Sequence, residues 1–349
     1  MYKVSVIGAT GYAGAELVRL LCGHGGVEVF RLTSQSYKGK LFSDIYPSFK
    51  ELADIELTGT EQADIAEIAA GSDVVFTALP HGASFEIVPK FISAGVKVID
   101  FSGDFRYTDR AVYEKWYGLT HTAPELLSES VYGLPELHRE KIAKSRLVGN
   151  PGCYTTCSIL GLAPLMANNL IDNGSIIIDA KSGITGAGRS TSLDYNYCES
   201  AENFKAYKVA THRHTSEIEQ ELSRVAGEEV TISFTPHLLP QKRGILATCY
   251  ASFNNFTSAE DLANLYRRFY ANEPFVRIFD AGKLPETKFV SGSNYVDIGF
   301  TSDLRTNRVI VVSCLDNLIK GAAGQAMQNM NIVLGMDEKT GLSSPAFYL

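Results

Sequence analysis

Val4-Ser5-Val6-Ile7-Gly8-Ala9-Thr10-Gly11-Tyr12-Ala13-Gly14 sets a short apolar run directly before glycines spaced G-x-x-G-x-x-G. Residues 4–7 read as a strand and residues 13–21 as a helix. The glycines between them permit a tight turn and a close backbone approach to a pyrophosphate. The helix start then offers N–H groups without helical partners to phosphate oxygens. Glycines alone would fit any βα turn. The strand before them and the helix after them point to a dinucleotide.

Outward from this turn, residues 27–32, 74–78 and 96–99 are further β-rich runs, and residues 84–94 have helical periodicity. Strands alternating with helices indicate βαβ units on a parallel sheet, the plan of a Rossmann-type domain. The end of the second strand selects the dinucleotide, since an NAD site usually carries Asp or Glu there for the ribose 2′-hydroxyl. Here the chain reads Thr33-Ser34-Gln35-Ser36-Tyr37-Lys38. Ser34, Ser36 and Lys38 suit a 2′-phosphate, so the expected cofactor is NADP. Pro80 and His81 follow the run 74–78. Ser102, within Asp100-Phe101-Ser102-Gly103-Asp104-Phe105-Arg106, follows the run 96–99. These loops are expected at the carboxyl edge of the sheet, where cofactors bind.

Past residue 150 the texture changes. Residues 153–169 read as a helix, 175–181 as a strand and 183–188 as a glycine-rich loop. Residues 230–235, 244–253 and 309–312 read as strands, which suggests an α+β domain on a mixed sheet. Residues 317–334 have helical periodicity and are expected to pack back on the first domain. The division expected is an NADP-binding domain at 1–150 joined by 317–349, and a catalytic and oligomerisation domain at 151–316. A chain of 349 residues exceeds what one core usually serves.

Composition narrows the function classes. The chain is 45% hydrophobic and 20% charged, with a formal net charge of -7. That balance argues against a nucleic-acid partner but not against a small anionic substrate held by a local cationic pocket. No apolar run reaches the length of a membrane span. The first residues are too strand-like for a signal peptide. The six cysteines are scattered without a C-x-x-C pair, so no metal site is expected and the protein is read as cytoplasmic and reduced.

Pro151 and Gly152, in Gly149-Asn150-Pro151-Gly152-Cys153-Tyr154, break the chain before a helix, so Cys153 falls at its first turn. The positive end of the helix stabilises a thiolate there, and its N–H groups can hold an oxyanion. Cys153 is therefore the expected nucleophile, while Cys22, Cys157, Cys198, Cys249 and Cys314 read as core thiols. Thr211-His212-Arg213-His214-Thr215-Ser216-Glu217 places two imidazoles, ready acid–base groups, on a loop before a helix capped by Thr215. A zinc site is the rival reading of these histidines, without ligands at the usual spacing. Ser182-Gly183-Ile184-Thr185-Gly186-Ala187-Gly188-Arg189 combines mobile glycines with a guanidinium able to grip a carboxylate or phosphate.

Together these segments resemble the N-acetyl-gamma-glutamyl-phosphate reductases of arginine biosynthesis, within the wider aspartate-semialdehyde dehydrogenase group. The resemblance covers nearly the whole chain. It also rests on Gly133-Leu134-Pro135-Glu136, Phe234-Thr235-Pro236-His237 and Gly321-Ala322-Ala323-Gly324-Gln325. Thr155 and Ser216 stand where the family commonly has proline, and neither change removes a reactive group. The resemblance implies that a small anionic acyl phosphate is reduced by NADPH through a Cys153 thioester. It implies His212 as the acid–base group, with His214 second. It implies Arg106, Asn150, Gly186, Arg189, Arg213 and Glu217 around the substrate. Ser182, Gly183 and Asn317 would meet the nicotinamide cofactor, beside Gly8, Thr10, Gly11, Tyr12, Ala13 and Gly14. A homodimer or homotetramer is expected. The rival readings are a carrier-linked aminoadipyl-phosphate reductase of lysine synthesis, an aspartate-semialdehyde dehydrogenase, a cysteine hydrolase and a non-catalytic NADP sensor.

Overall fold

The computed structural model describes residues 1–189 and 192–348. The chain forms two units, Met1–Pro151 with Ala322–Ser343, and Gly152–Gly321 with the segment from Ser344 onward.

The first unit is built on β1 (Tyr2–Ile7), β2 (Val27–Thr33), β3 (Leu57–Thr58), β4 (Val74–Thr77), β5 (Lys97–Asp100), β6 (Ser130–Tyr132) and β7 (Leu147–Gly149). Their order is β3-β2-β1-β4-β5-β7-β6, and every pairing is parallel. Parallel strands covered on both faces need apolar side chains on both, and Val74, Val75 and Phe76 are all fully buried. In register, Val4 lies beside Val29 on one side and Val74 on the other. The order reverses direction between β1 and β4. In open sheets of this kind, ligands bind in the crevice outside the carboxyl ends at that switch point.

Helix Tyr12–Cys22 follows β1, and helix Ser84–Ser93 connects β4 to β5, close to the expected bounds. The terminal helix Gly324–Val333 packs on helices Tyr12–Cys22 and Pro135–Ala143 and on β5. The expected helix over 317–334 is interrupted. Residues Ile319–Ala323 form a wide π-type turn, and the regular helix begins only at Gly324. The Asp316 carboxylate accepts the Leu318 and Ile319 N–H groups at the start of this turn.

The second unit carries β8 (Ile177–Gly183), β9 (Lys205–Ala206), β10 (Ser233–Leu239), β11 (Ile245–Ser252), β12 (Val276–Ile278), β13 (Val296–Asp303) and β14 (Arg308–Leu315). The order is β12-β13-β14-β11-β8-β10-β9. The sheet is mixed, with β8/β10 and β12/β13 parallel and its other pairs antiparallel. Helix Cys153–Ala167 packs on β11 and β14, and helix Ala259–Phe269 on β12 and β13. Residues alternate along β11: Ala247, Cys249 and Ala251 are buried under the helices, whereas Leu246, Thr248 and Tyr250 on the opposite face are only half-buried.

Strand β10 starts later and runs further than the expected 230–235, through Pro236. Proline removes a ladder donor and is tolerated near a sheet edge. Only the two-residue β9 lies beyond β10, and Pro236 contributes its carbonyl to the Tyr207 N–H. No helix among the described residues is long and apolar enough to cross a membrane.

Candidate active site

In the first unit, Gly8 ends β1 with φ +83°, and a β-carbon there would lie 2.5 Å from the Ala78 carbonyl oxygen. Gly14 is similarly confined, with the Gly8 carbonyl oxygen 2.6 Å from a notional β-carbon. Gly11 differs: a β-carbon would meet no protein atom nearer than the Gly8 oxygen at 3.8 Å. Packing within the chain therefore explains Gly8 and Gly14 but not Gly11. Bare backbone at Gly11, the N-cap of helix Tyr12–Cys22, fits close approach of a pyrophosphate. Thr10 and Ser34 share a 2.8 Å hydroxyl hydrogen bond, and Tyr46 donates to the Thr10 carbonyl at 2.8 Å. Tyr12 is exposed and Ala13 half-buried at the same helix start.

Ser36 and Lys38 are exposed, as a 2′-phosphate site needs. Lys38 is nonetheless paired, with Nζ 2.9 Å from Glu61 and 3.7 Å from Asp64. Hydrogen bonds from Asp64 first and Lys38 next hold the Glu61 carboxyl at about 2. The charge expected to meet phosphate thus already faces two acids, which sequence reading did not bring to this loop.

Pro80 is exposed and His81 half-buried beyond β4. His81 Nδ1 accepts the Gly103 N–H at 2.8 Å. Ser102 is buried and donates to Asp100 Oδ2 at 2.5 Å. Asp100 also accepts from Thr77 and Ser84, each at 2.6 Å. Burial first, and Asp104 next, push its carboxyl up to about 6. Arg106 is 6% exposed and donates to the Phe101 carbonyl at 2.6 Å. Asn150 is 1% exposed, donating to the Ala322 carbonyl and accepting from Asn329. Its amide is hydrogen-bonded within the frame of this unit.

In the second unit, Cys153 is the first residue of its helix and half-buried, with Gly152 as N-cap. Two glycines flank it. A β-carbon on Gly152 would come within 2.3 Å of His214 Nε2, and one on Gly321 within 2.8 Å of the Cys153 β-carbon. His214 heads helix His214–Ala226, with its ring against Gly152. The expected cap at Thr215 is absent: the helix starts two residues earlier, and Arg213 occupies the N-cap without a side-chain capping bond.

His212 sits among rings, with Tyr154, Tyr207, His214 and Phe234 centred 4.7–5.7 Å away. Its Nδ1 accepts the His214 backbone N–H at 3.1 Å, so the neutral ring carries its proton on Nε2. Burial first, then Lys208 and Arg213, hold its pKa down to about 3. Tyr154 donates to the His237 carbonyl and receives Tyr207 OH at 3.3 Å, linking the histidine loop to the start of the cysteine helix. Cys157 lies buried one turn on, pushed up to about 12 by burial, and Cys249 and Cys314 are also raised by burial.

Ser182 and Gly183 are buried at the end of β8, and residues Ile184–Ala187 form a tight helical turn rather than an open loop. Gly186 is exposed beside Ser182, whose Oγ would lie 3.2 Å from a β-carbon there. Asn317 is 2% exposed, donating to Thr185 and accepting the Gly244 N–H. Arg189 is exposed and Arg213 half-buried. Glu217, expected at the substrate, is fully buried and accepts the Gly152 N–H at 2.9 Å.

Arg243 was missed by sequence reading. It lies 3.5 Å from Asp316, beside the Ser182–Gly186 turn that Gln241 and Lys242 hold through backbone bonds. Its signal was weak, a lone arginine before a strand.

Residues 3–145 match the family described as semialdehyde dehydrogenase, NAD binding domain. Residues 153–317 match semialdehyde dehydrogenase, dimerisation domain. The chain is 56% identical over 349 residues to the N-acetyl-gamma-glutamyl-phosphate reductase of Acetivibrio thermocellus, covering 100% of both chains. It is 52% identical over 348 residues to that of Desulforudis audaxviator, again covering 100% of each. Among solved structures it resembles aspartate semialdehyde dehydrogenase II of Vibrio cholerae, with TM-score 0.75 at 17% identity over 96% of this chain and 99% of that one. The enzyme of that type from Candida albicans, solved with NADP, gives TM-score 0.73 at 18% identity, over 96% and 98%. At such identity the structures share the fold.

Proposed function

The chain belongs to the N-acetyl-gamma-glutamyl-phosphate reductase family, and we propose that it reduces N-acetyl-gamma-glutamyl phosphate to N-acetylglutamate semialdehyde and phosphate in arginine biosynthesis. The observation that carries this reading is Cys153 at the head of its helix, with the His214 ring against the adjacent Gly152.

The Cys153 thiolate attacks the acyl carbon. A C–S bond forms, the C–O bond to phosphate breaks, and inorganic phosphate leaves. Bound NADPH supplies the hydride. Once the thioester carbon has gained it, the thiohemiacetal collapses: the C–S bond breaks, the aldehyde carbonyl forms, and the thiolate is restored. Covalent capture thus splits one difficult step into two easier ones.

The histidines divide the proton work. His212 carries its proton on Nε2 and is kept neutral by burial, so it suits donation to the substrate oxygen. This reading assigns removal of the thiol proton to His214, whose ring lies against Gly152. Arg189 and Arg213 are the cations that this reading assigns to substrate anions, since a net-acidic protein needs local positive charge to hold them. The bare backbone at Gly11, with Thr10 and Ser34 beside it, supports dinucleotide binding in the first unit.

We also assign the reaction to the cytoplasm and to a closed homo-oligomer formed through the open face of the second sheet. Ile177, Thr235, Tyr250 and Ile310 lie on that half-covered or exposed face.

The test runs the reaction backwards. With NADP and phosphate, N-acetylglutamate semialdehyde should be oxidised far faster than aspartate semialdehyde or a carrier-linked aminoadipate semialdehyde. A preference for either of the others would reassign the substrate. Near-normal turnover by Cys153→Ser would remove the covalent scheme. An unchanged rate and pH profile in His212→Asn would move the proton work wholly to His214.

A further inference from the structure

We propose that Asp104 is a positioning residue for the nicotinamide half of the dinucleotide, acting through the loop at Pro80–Gly82. The inference deepens the reading of the first unit as a dinucleotide-binding domain and rests on that reading.

Strand order places the loop. The glycine turn Gly8–Gly14 follows β1, and Ser34–Lys38 follows β2. Strand β4 flanks β1 on the other side. A dinucleotide laid across this edge, with its pyrophosphate at the glycine turn and its 2′ group over β2, sets its nicotinamide half over β4. Residues Pro80–Gly82 begin there. The end of β4 also abuts the glycine turn: Ala78 donates its N–H to the Ile7 carbonyl at 2.8 Å, and a β-carbon on Gly8 would lie 3.4 Å from Leu79 Cδ2.

Asp104 has no exposed surface. Gly82 donates its N–H to both carboxylate oxygens, at 2.9 and 2.8 Å, and Ser84 donates its N–H to Oδ2 at 3.3 Å. The Tyr113 hydroxyl donates to Oδ1 at 2.8 Å, and Ser102 adds a hydroxyl contact. Gly82 is held at φ +86°, a conformation that other residues rarely adopt. The same carboxylate serves the start of helix Ser84–Ser93, whose N-cap Ala83 makes no side-chain capping bond. A return bond runs from the Gly103 N–H to His81 Nδ1 at 2.8 Å. The loops after β4 and β5 thus clasp each other twice, His81 with Gly103 and Gly82 with Asp104.

Charge decides which group does the holding. Asp100, in the same network, receives hydroxyls from Thr77, Ser84 and Ser102. A hydroxyl can turn and accept when a carboxyl is protonated, whereas an N–H only donates. Asp104 faces the N–H groups of Gly82 and Ser84, so a proton shared by the two acids goes to Asp100. Asp104 keeps its charge and remains the fixed acceptor for the loop.

Asp104→Asn tests this, since it keeps the shape but puts an NH2 where an acceptor oxygen stood. By fluorescence titration, the NADPH dissociation constant should rise about tenfold, the scale of a lost hydrogen bond to a charged group. NADH should weaken by the same factor, because the 2′ group lies at the far end. Binding of 2′,5′-ADP, which lacks the nicotinamide half, should stay within about twofold, as expected of a distant site. Unchanged NADPH binding would overturn the proposal. Equal losses for 2′,5′-ADP and NADPH would also overturn it, by showing a general loosening of the unit. A wild-type protein that bound neither nucleotide would defeat the dinucleotide reading itself, a separate result. If Asp104→Asn does not fold, His81→Ala removes the return bond and His81→Asn gives an acceptor back to the Gly103 N–H. The first should weaken NADPH but not 2′,5′-ADP, and the second should recover most of the loss. Equal losses of NADPH binding in the two variants would contradict the clasp.

Discussion

His214 lies with its imidazole against the α-carbon of Gly152, so close that a β-carbon there would come within 2.3 Å of Nε2. Gly152→Ala therefore cannot keep both the ring and the helix start in place. A misplacement of about 1 Å near the chemistry costs on the order of 100-fold in rate. We expect a kcat loss of that order in Gly152→Ala, with a far smaller change in melting temperature. Gly321→Ala should act from the opposite side by displacing the Cys153 β-carbon. Steady-state kinetics beside thermal melts check both variants; unchanged kcat in both would mean that the flanking space is not needed.

The buried His212 makes stability depend on acidity. Its pKa is about 3 when folded, against 6.5 for an ordinary histidine. As pH falls below 6.5 the unfolded chain takes up a proton that the folded one refuses, so stability is lost progressively toward pH 3. His212→Asn removes that contribution. Between about pH 7 and pH 5, the variant should lose on the order of 2 kcal/mol less unfolding free energy than the wild type. Parallel denaturant titrations at the two pH values measure this, and equal losses would refute it.

Asp100 works in the opposite sense. Its folded carboxyl is raised to about 6 from 3.8, by burial and then by Asp104. As pH rises through that window the unfolded chain gives up its proton first, so stability falls toward pH 6 and is level above it. In Asp100→Asn the melting temperature should drop less than in the wild type between about pH 4 and pH 6.5. Parallel slopes for the two proteins would mean that the carboxyl ionises normally.

The pairing of Lys38 with Glu61 bears on cofactor choice. A 2′-phosphate must compete with that carboxylate for the same ammonium. Glu61→Gln should tighten NADPH binding by about two- to fivefold, the scale of an exposed ion pair, and leave NADH unchanged. Fluorescence titration with both nucleotides decides it. Equal tightening of both would place the effect away from the 2′ position, whereas tighter NADH binding by the wild type would defeat the NADP assignment itself.

Hydrophobic periodicity made much of this molecule readable before any coordinates. Helix Tyr12–Cys22 and strands β2, β4 and β11 fall within a residue or so of their expected bounds, because each stands out in the chain as a run or alternation of apolar residues. Strand β13 was not read, with Asp297 and Gly299 breaking its apolar run. Only the structure shows Asp297 paired with Arg277, and a Gly299 β-carbon meeting the Lys283 carbonyl oxygen at 2.6 Å.

At the site, Cys153 was legible from local chain alone, since a proline and a glycine before a helix place it at the first turn. Ser102, Asn150 and Glu217 have the polar groups that ligands need, and the fold also hydrogen-bonds those groups internally. Such commitments depend on residues distant in sequence, such as Asn329 for Asn150 and Gly152 for Glu217. The closeness of His214 to Gly152 is non-local in the same way.

The first sheet is completed by Gly324–Val333, which packs on β5 and on helix Tyr12–Cys22. Asn329, on that helix, donates to the Gly133 carbonyl and to Asn150. A ribosome makes residues 152–321 before it makes this helix. At about 5–20 residues per second, the nascent amino-terminal half spends roughly ten seconds or more without that cover. Through that interval the second unit must fold as an insertion within an unfinished first one. Chaperone demand during translation should therefore concentrate on the amino-terminal half, although it is the first part of the protein to emerge.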